Sequence, residues 1–192
     1  MENAKDYKKK YKIHLLCIVL MLSLSFGCYK RDESLDDKLT LERVDYLGSE
    51  LRIDGYYYEY IYVNGNPNPT GITPFFLYRN GIIFGYVGVS IDRIDKLEES
   101  FRNGEYVNNA KKYQWGVFQI NGTQIRYEKW VPVEGPLLAC TYEGVILNDT
   151  TFVINKYYRA LDAGKKVPSE IYWEFHFKQF SPKPDSTNRF IP

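Results

Sequence analysis

Cysteine and histidine are scarce in this chain. Its 192 residues include three cysteines and two histidines. Cys17 and His14 lie in an apolar stretch near the N-terminus and Cys28 closes that stretch, which leaves Cys140 and His176 to the rest of the chain. A single cysteine cannot form an intramolecular disulfide. Cys140 stands in Leu-Leu-Ala-Cys-Thr-Tyr, a context that predicts a small buried hydrophobic side chain.

An excess of positive charge is also missing. The chain carries 25 basic and 24 acidic residues, and without residues 1–27 the counts are 20 and 22. This balance argues against a nucleic-acid partner, which needs a basic stripe.

Gly-rich phosphate loops are absent too. Carboxylates do occur on predicted strands, where alternation favours the solvated face. The carboxylates on predicted strands are Glu59, Glu128, Glu143 and Glu174. We therefore predict no catalytic residue, no metal and no cofactor, and a protein that is not an enzyme.

Only one long apolar run is present. Five lysines between Lys5 and Lys12 precede the stretch Ile13 to Phe26, which is almost wholly apolar. Its 14 residues are too few for the ~20 that a spanning helix needs. A basic segment followed by a short apolar segment is typical of an export signal. A short membrane anchor or a buried core helix is the alternative interpretation.

The end of the apolar run resembles the lipobox of bacterial lipoproteins. The residues are Leu24-Ser25-Phe26-Gly27-Cys28. The resemblance implies cleavage after Gly27, lipid on the Cys28 thiol and a membrane partner reached through that lipid. Several long acyl chains anchor a protein almost irreversibly. Residues 1–27 would then be the signal, and residues 28–49 a charged, solvated tether.

The first tether residues carry a second resemblance. Asp32 and Glu33 are similar to the acidic tract that sorts some lipoproteins of Bacteroidota to the outer face of the outer membrane. We therefore expect an envelope protein that is anchored in the outer membrane and exposed at the cell surface. A soluble spacer is the alternative, and it leaves the choice of leaflet open.

Aromatic residues are abundant in the remainder of the chain. The sequence has 18 Tyr, 11 Phe and 3 Trp, and such residues favour strands. Alternation of apolar and polar residues and turn signals such as Asn-Gly predict eight strands. A helical period over 92–103 predicts one short helix, which we expect at an end of the domain. The predicted strands are 51–63, 74–78, 82–90, 114–120, 123–130, 140–147, 150–157 and 171–178.

Eight strands in sequence order predict a mainly β fold, an up-and-down antiparallel barrel. A β-sandwich is the alternative. The strand count and the opening Gly55-Tyr56-Tyr57 of a long first strand resemble the lipocalin group, most closely lipocalin-like lipoproteins of Bacteroidota. The resemblance covers residues 50–180, and residues 181–192, with their prolines, are expected to form an extended tail. It implies a barrel interior that can hold a small ligand.

Four aromatic residues are the candidate ligand-binding set: Tyr57, Trp115, Tyr127 and Trp173. An apolar cavity with a few polar groups is typical of small-molecule sites. We therefore predict a lipid-anchored module that binds a small apolar, aromatic or sugar ligand. Two alternatives stay open. These side chains can simply fill the barrel, or the protein can be a non-enzymatic accessory or inhibitor protein that binds a protein partner through exposed tyrosines.

Overall fold

Strands make up most of the fold. The computed structural model describes residues 35–63, 66–132, 135–160 and 166–192. Within them the strands are β1 (Gly55–Ile61), β2 (Gly71–Leu77), β3 (Ile82–Gly85), β4 (Val89–Ser90), β5 (Trp115–Asn121), β6 (Gln124–Pro132), β7 (Leu137–Asn148), β8 (Thr151–Ala160) and β9 (Lys166–Gln179). The helices are α1 (Ile94–Arg102), which follows a 3₁₀ turn at Ile91–Arg93, and α2 (Glu105–Asn108), which precedes a second 3₁₀ turn at Lys112–Gln114.

The strands close into a barrel. All pairings are antiparallel, in the order β1-β9-β8-β7-β6-β5-β3-β2, and pairing of β1 with β2 completes the ring. The two-residue strand β4 pairs with β2 beyond the end of β3, so β3 and β4 share one of the eight barrel positions. The predicted eight-stranded antiparallel barrel with a short helix is therefore confirmed, and the β-sandwich alternative is excluded.

Several predicted elements differ in detail. The strand predicted over 82–90 is interrupted at 86–88, where Ile61 packs so closely over Gly88 that a Cβ on this residue would lie 2.3 Å from the Ile61 Cδ1 atom. The strand predicted from residue 51 begins at Gly55, because the preceding residues turn across one end of the barrel. Helix α1 lies on the outer wall rather than at an end, since its buried Leu97 and Phe101 pack among outward-facing side chains of the strands.

Alternation along the strands produces two apolar layers. Tyr57 on β1 and Tyr127 on β6 belong to an inner cluster within the barrel. Tyr56, which precedes Tyr57, and Trp130, three residues after Tyr127, belong to an outer cluster that also includes buried residues of α1. Because successive strand side chains point to opposite faces, each strand contributes to both layers. The outer layer explains why so many strand residues on both faces are apolar.

One end of the barrel is closed by the residues that precede β1. Leu51 is 2% exposed, and the backbone N–H of Arg52 donates to the Asp149 carbonyl oxygen at 2.9 Å. The Tyr57 hydroxyl donates to the carbonyl oxygens of Arg52 and Asp149, at 3.0 Å each. We call this the closed end. The opposite end, where β1 and β8 end and where β7 and β9 begin, we call the open end.

The segment 36–41, here called the strap, crosses the outside of β6 and β7. Asp36 and Asp37 accept hydrogen bonds from the backbone N–H groups of Leu137 and Ala139, at 2.8 and 3.0 Å. These residues fall in the stretch predicted as a solvated tether, and the structure instead packs them on the barrel wall. The last residues also pack, since Phe180 and Ile191 are buried in the outer cluster. Residues Ser34–Pro192 form one compact unit.

Candidate ligand site inside the barrel

The closed half of the interior is filled with aromatic side chains. Phe152 and Phe175 stack with ring centroids 4.7 Å apart, and Tyr57 lies 5.0 Å from Phe152. These three side chains are between 0% and 3% exposed. Packing of this density leaves no room for a ligand between them. A site inside the barrel therefore has to lie in the other half.

Four side chains from adjacent strands line one side of the open half; we call them the aromatic wall. The Tyr142 ring stacks on Tyr127 at 4.6 Å and on Tyr157 at 5.6 Å, and lies 5.7 Å from Trp173. Tyr157 and Trp173 keep accessible surface although they pack on the inner cluster. They therefore border a space that water can enter. The register of β6, β7 and β8 produces the row, because Tyr127 pairs with Tyr142 and Tyr142 pairs with Tyr157.

Lys129 adds a positive charge to this half. It follows Tyr127 by two residues and pairs with Cys140 on β7, so it points inward. Protein atoms surround the side chain, yet it keeps some accessible surface. Burial lowers the pKa of Lys129 to about 8. Two glycines make room for it: a Cβ on Gly116 would lie 2.8 Å from the Lys129 Cβ, and a Cβ on Gly85 would lie 3.5 Å from the Lys129 Nζ.

Glu59 is a second ionisable group of the interior. It follows Tyr57 by two residues on β1 and is close enough to Tyr127 to help raise the pKa of that hydroxyl. Burial raises the pKa of Glu59 itself to about 7. Neither Glu59 nor Lys129 forms a hydrogen bond or an ion pair with any residue that the structure describes. Both groups are thus free to meet a ligand or water.

The four candidate residues from the sequence do not stay together. Tyr127 and Trp173 belong to the aromatic wall. Tyr57 lies inside the barrel but in the filled half, where its hydroxyl is already bonded to two backbone carbonyls. Trp115 does not face the interior as expected: it lies in the outer cluster, 4.7 Å from the Phe84 ring. Trp173 does face the inner cluster, as predicted, and is half-buried.

Sequence reasoning missed Glu59, Lys129, Tyr142 and Tyr157 as site residues. The prediction that the strand glutamates lie on the solvated face is wrong for Glu59 and for Glu128, which is 0% exposed. For Glu59 the sequence does contain a signal. Glu59 lies two residues from Tyr57, so the two side chains share one face of the strand. Lys129 carries the same signal relative to Tyr127. The stacking of Tyr142 and Tyr157 depends on strand pairing, which the sequence does not display.

A separate aromatic row lies on the outer surface. Tyr58, Tyr60 and Tyr62 succeed one another along and beyond β1, with ring centroids 5.2 and 6.3 Å apart. The His176 ring lies 5.9 Å from both Tyr58 and Tyr60. Tyr62 is 57% exposed. A groove of about 250 Å³ lies between Tyr58 and Tyr60 on one side and, on the other, Ile91 in the 3₁₀ turn and Ile94 at the start of α1.

Several predictions concern residues that lie outside the described ones. These are the signal of residues 1–27, lipidation at Cys28 and the acidic pair Asp32 and Glu33. Among the described residues, no three His, Cys, Asp or Glu side chains are grouped closely enough to hold a metal ion. No helix in this part of the chain has the length and apolar character to span a bilayer. Comparison with known proteins finds no family model, no curated protein and no solved structure that matches this chain.

Proposed function

We propose that this protein is a non-enzymatic, lipid-anchored envelope protein whose barrel binds a small molecule in its open half. The observation that carries the proposal is the pair Glu59 and Lys129, which face the interior beside the aromatic wall and have no partner among the described residues. An interior built for stability alone would place apolar side chains at these two positions, because a buried unpaired charge destabilises the fold. Aromatic surface with a few polar groups is typical of small-molecule sites.

The anchor is proposed from the lipobox-like sequence that ends at Cys28. The strap determines where the chain that follows the anchor reaches the barrel. Asp36 contacts Leu137, the first residue of β7, at the open end. Seven residues lie between Cys28 and Asp36, so the two Cα atoms can be at most ~28 Å apart when the chain is extended. A lipid on Cys28 would therefore attach the barrel to the bilayer through the residues that precede the strap. Location in the outer membrane, and on its outer face through Asp32 and Glu33, is part of the same proposal.

The proposal is tested by titrating a chain that begins at Ser34 with the neutral fluorescent probe N-phenyl-1-naphthylamine. We expect saturable binding in the micromolar range, which corresponds to about −8 kcal/mol. Trp173→Leu removes part of the aromatic wall and should weaken binding about tenfold. Tyr172→Leu is the matched control, because Tyr172 adjoins Trp173 on β9 but is 69% exposed. Absence of saturable binding in the unmodified chain, or equal effects of both variants, would contradict the proposal.

A second function, binding of a protein partner, is favoured by the outer aromatic row. Exposed tyrosines are common at protein interfaces, where they supply apolar area and a hydroxyl. The row of Tyr58, Tyr60 and Tyr62 meets that description. Tyr60→Ser combined with Tyr62→Ser should abolish capture of a partner from envelope extracts and leave probe binding unchanged. If the unmodified protein captures nothing, this second function is rejected.

A further inference from the structure

The surroundings of Lys129 restrict the chemistry of what can bind beside it. Its Nζ lies near Gly85, beside the Phe75 ring, and its Cβ lies against Gly116. The carboxylate of Glu59 does not pair with it. Cys140, opposite on β7, is near enough to interact electrostatically with Lys129 and with Tyr142. A lysine ammonium group offers three donors and no acceptor, so its natural partner is an anionic or strongly accepting group.

The aromatic wall supplies the complementary apolar surface. Tyr127, Tyr142 and Tyr157 lie side by side on β6, β7 and β8, with their ring planes within 25° of one another between neighbours. Lys129 is two residues along β6 from Tyr127, about 7 Å for extended backbone. A molecule of about that length can therefore contact the rings and the ammonium group together.

We propose that the ligand of the open half is an organic anion, with a flat apolar body against the aromatic wall and an anionic group such as a carboxylate or sulfonate on Lys129. This rests on the proposed function and specifies its ligand class. The other polar groups that face this space are compatible with an anionic ligand because they can be uncharged. Tyr127 and Tyr142 have raised pKa values and stay neutral, and Glu59, with a pKa of about 7, can present a protonated carboxyl to the ligand.

A matched pair of probes tests the charge directly. N-phenyl-1-naphthylamine and 1-anilinonaphthalene-8-sulfonate share the same aromatic body, and only the second carries a sulfonate. For the chain that begins at Ser34, we expect the sulfonate to bind at least tenfold more tightly than the neutral probe at a pH of about 6.5. This pH is below the pKa of Lys129, so the ammonium group is charged. Lys129→Met should remove this preference, so that the two probes bind with about equal affinity, while Lys129→Arg should keep it.

The control is Lys156→Met, because Lys156 is a lysine of β8 whose side chain is exposed. It should change neither affinity. If the neutral probe binds and the sulfonate binds no better, the inference fails and the proposed function stands. If Lys129→Met binds the sulfonate as tightly as the unmodified chain, the inference fails as well. If neither probe binds, both fail. Should Lys129→Met not fold, the comparison of the two probes on the unmodified chain still decides.

Discussion

Individual residues in the open half show a conflict between stability and binding. Lys129 and Glu59 sit where the alternation of β6 and β1 would be satisfied by leucine or valine. Burial disfavours the charged form of each, so the pKa of the base falls to about 8 and that of the acid rises to about 7. Groups with such shifts and no structural partner cluster at functional sites. The conflict can be measured as a dependence of stability on pH.

Lys129→Met should remove one pH dependence of stability. Lysine has a pKa near 10.5 when unfolded and about 8 here, so the unfolded chain binds more protons between these pH values. The free energy of unfolding should therefore rise with pH from about 8 to about 10.5, by at most about 3 kcal/mol. Urea denaturation of both proteins across this range measures it. The expectation fails if the difference between them is constant with pH.

Glu59→Gln should remove the opposite dependence at lower pH. The carboxyl has a pKa near 4.5 when unfolded and about 7 in the barrel, so the folded protein binds more protons between these values. The free energy of unfolding should therefore fall as the pH rises from 4.5 to 7 in the unmodified chain, and this fall should be smaller in the variant. Identical pH profiles of the two proteins would show that Glu59 is well solvated.

The sequence predicted these residues only in part, for a reason that Trp115 illustrates. On β5, Trp115 and Val117 point outward while Gly116 and Phe118 point inward, and both pairs are buried. When both faces of a strand are covered, apolar pattern no longer distinguishes them. On β9 the outer face carries Tyr172 and Glu174, so the inward direction of Trp173 was readable from alternation.

At the scale of elements, the strap shows how a polar segment becomes structure. Its charges suggested a solvated tether, but Asp36 and Asp37 accept backbone hydrogen bonds at the start of β7. Leu39 and Leu41 then pack against the outer cluster. Farther along, Glu128 accepts hydrogen bonds from the hydroxyl of Thr40 at 3.0 Å and from the backbone N–H of Leu41 at 2.7 Å. Such long-range pairings leave no periodic trace in sequence.

Glu128→Gln tests whether the strap contributes to stability. One oxygen of the carboxylate becomes an amide nitrogen, which cannot accept the hydrogen bonds that Glu128 now receives from Thr40 or Leu41. Leaving a buried donor unsatisfied costs about 1–3 kcal/mol, so the midpoint of denaturation should fall accordingly. Glu143→Gln is the control on the next strand, where the side chain is only half-buried; it should cost less than about 1 kcal/mol. Equal losses would contradict the assigned role.

For the whole molecule, barrel closure was the best predicted feature and the packing outside the barrel the least. Local signals fixed most strands to within a few residues, for example the Asn-Gly turn between β5 and β6, where Gly122 has a φ of 57°. Closure results because eight consecutive antiparallel strands remove both sheet edges. The packing of residues 181–191 and of the strap depends on contacts across the fold, such as Lys183 donating to the carbonyl oxygens of Ile53 and Leu77.

Cys28→Ser should release the protein from the membrane without unfolding it. In the proposal, the lipobox-like sequence identifies the Cys28 thiol as the attachment point of the lipid, and Cys28 precedes the compact unit Ser34–Pro192 in the chain. Fractionation of cells should move the variant from the membrane pellet to the soluble fraction. Alanine at both Asp32 and Glu33 should abolish cleavage by protease added to intact cells. A Cys28→Ser variant that still sediments with membranes would contradict the anchor.

The position of the bound ligand is the central claim, and the three tryptophans allow it to be measured. Trp173 lies on the aromatic wall, whereas Trp115 and Trp130 lie in the outer cluster. A brominated naphthalene sulfonate, which quenches tryptophan emission on contact, should quench a chain with Trp115→Phe and Trp130→Phe, in which Trp173 alone emits. It should leave the emission of Trp173→Phe unchanged. Quenching of Trp173→Phe, with none in the double variant, would place the ligand outside the barrel and contradict the claim.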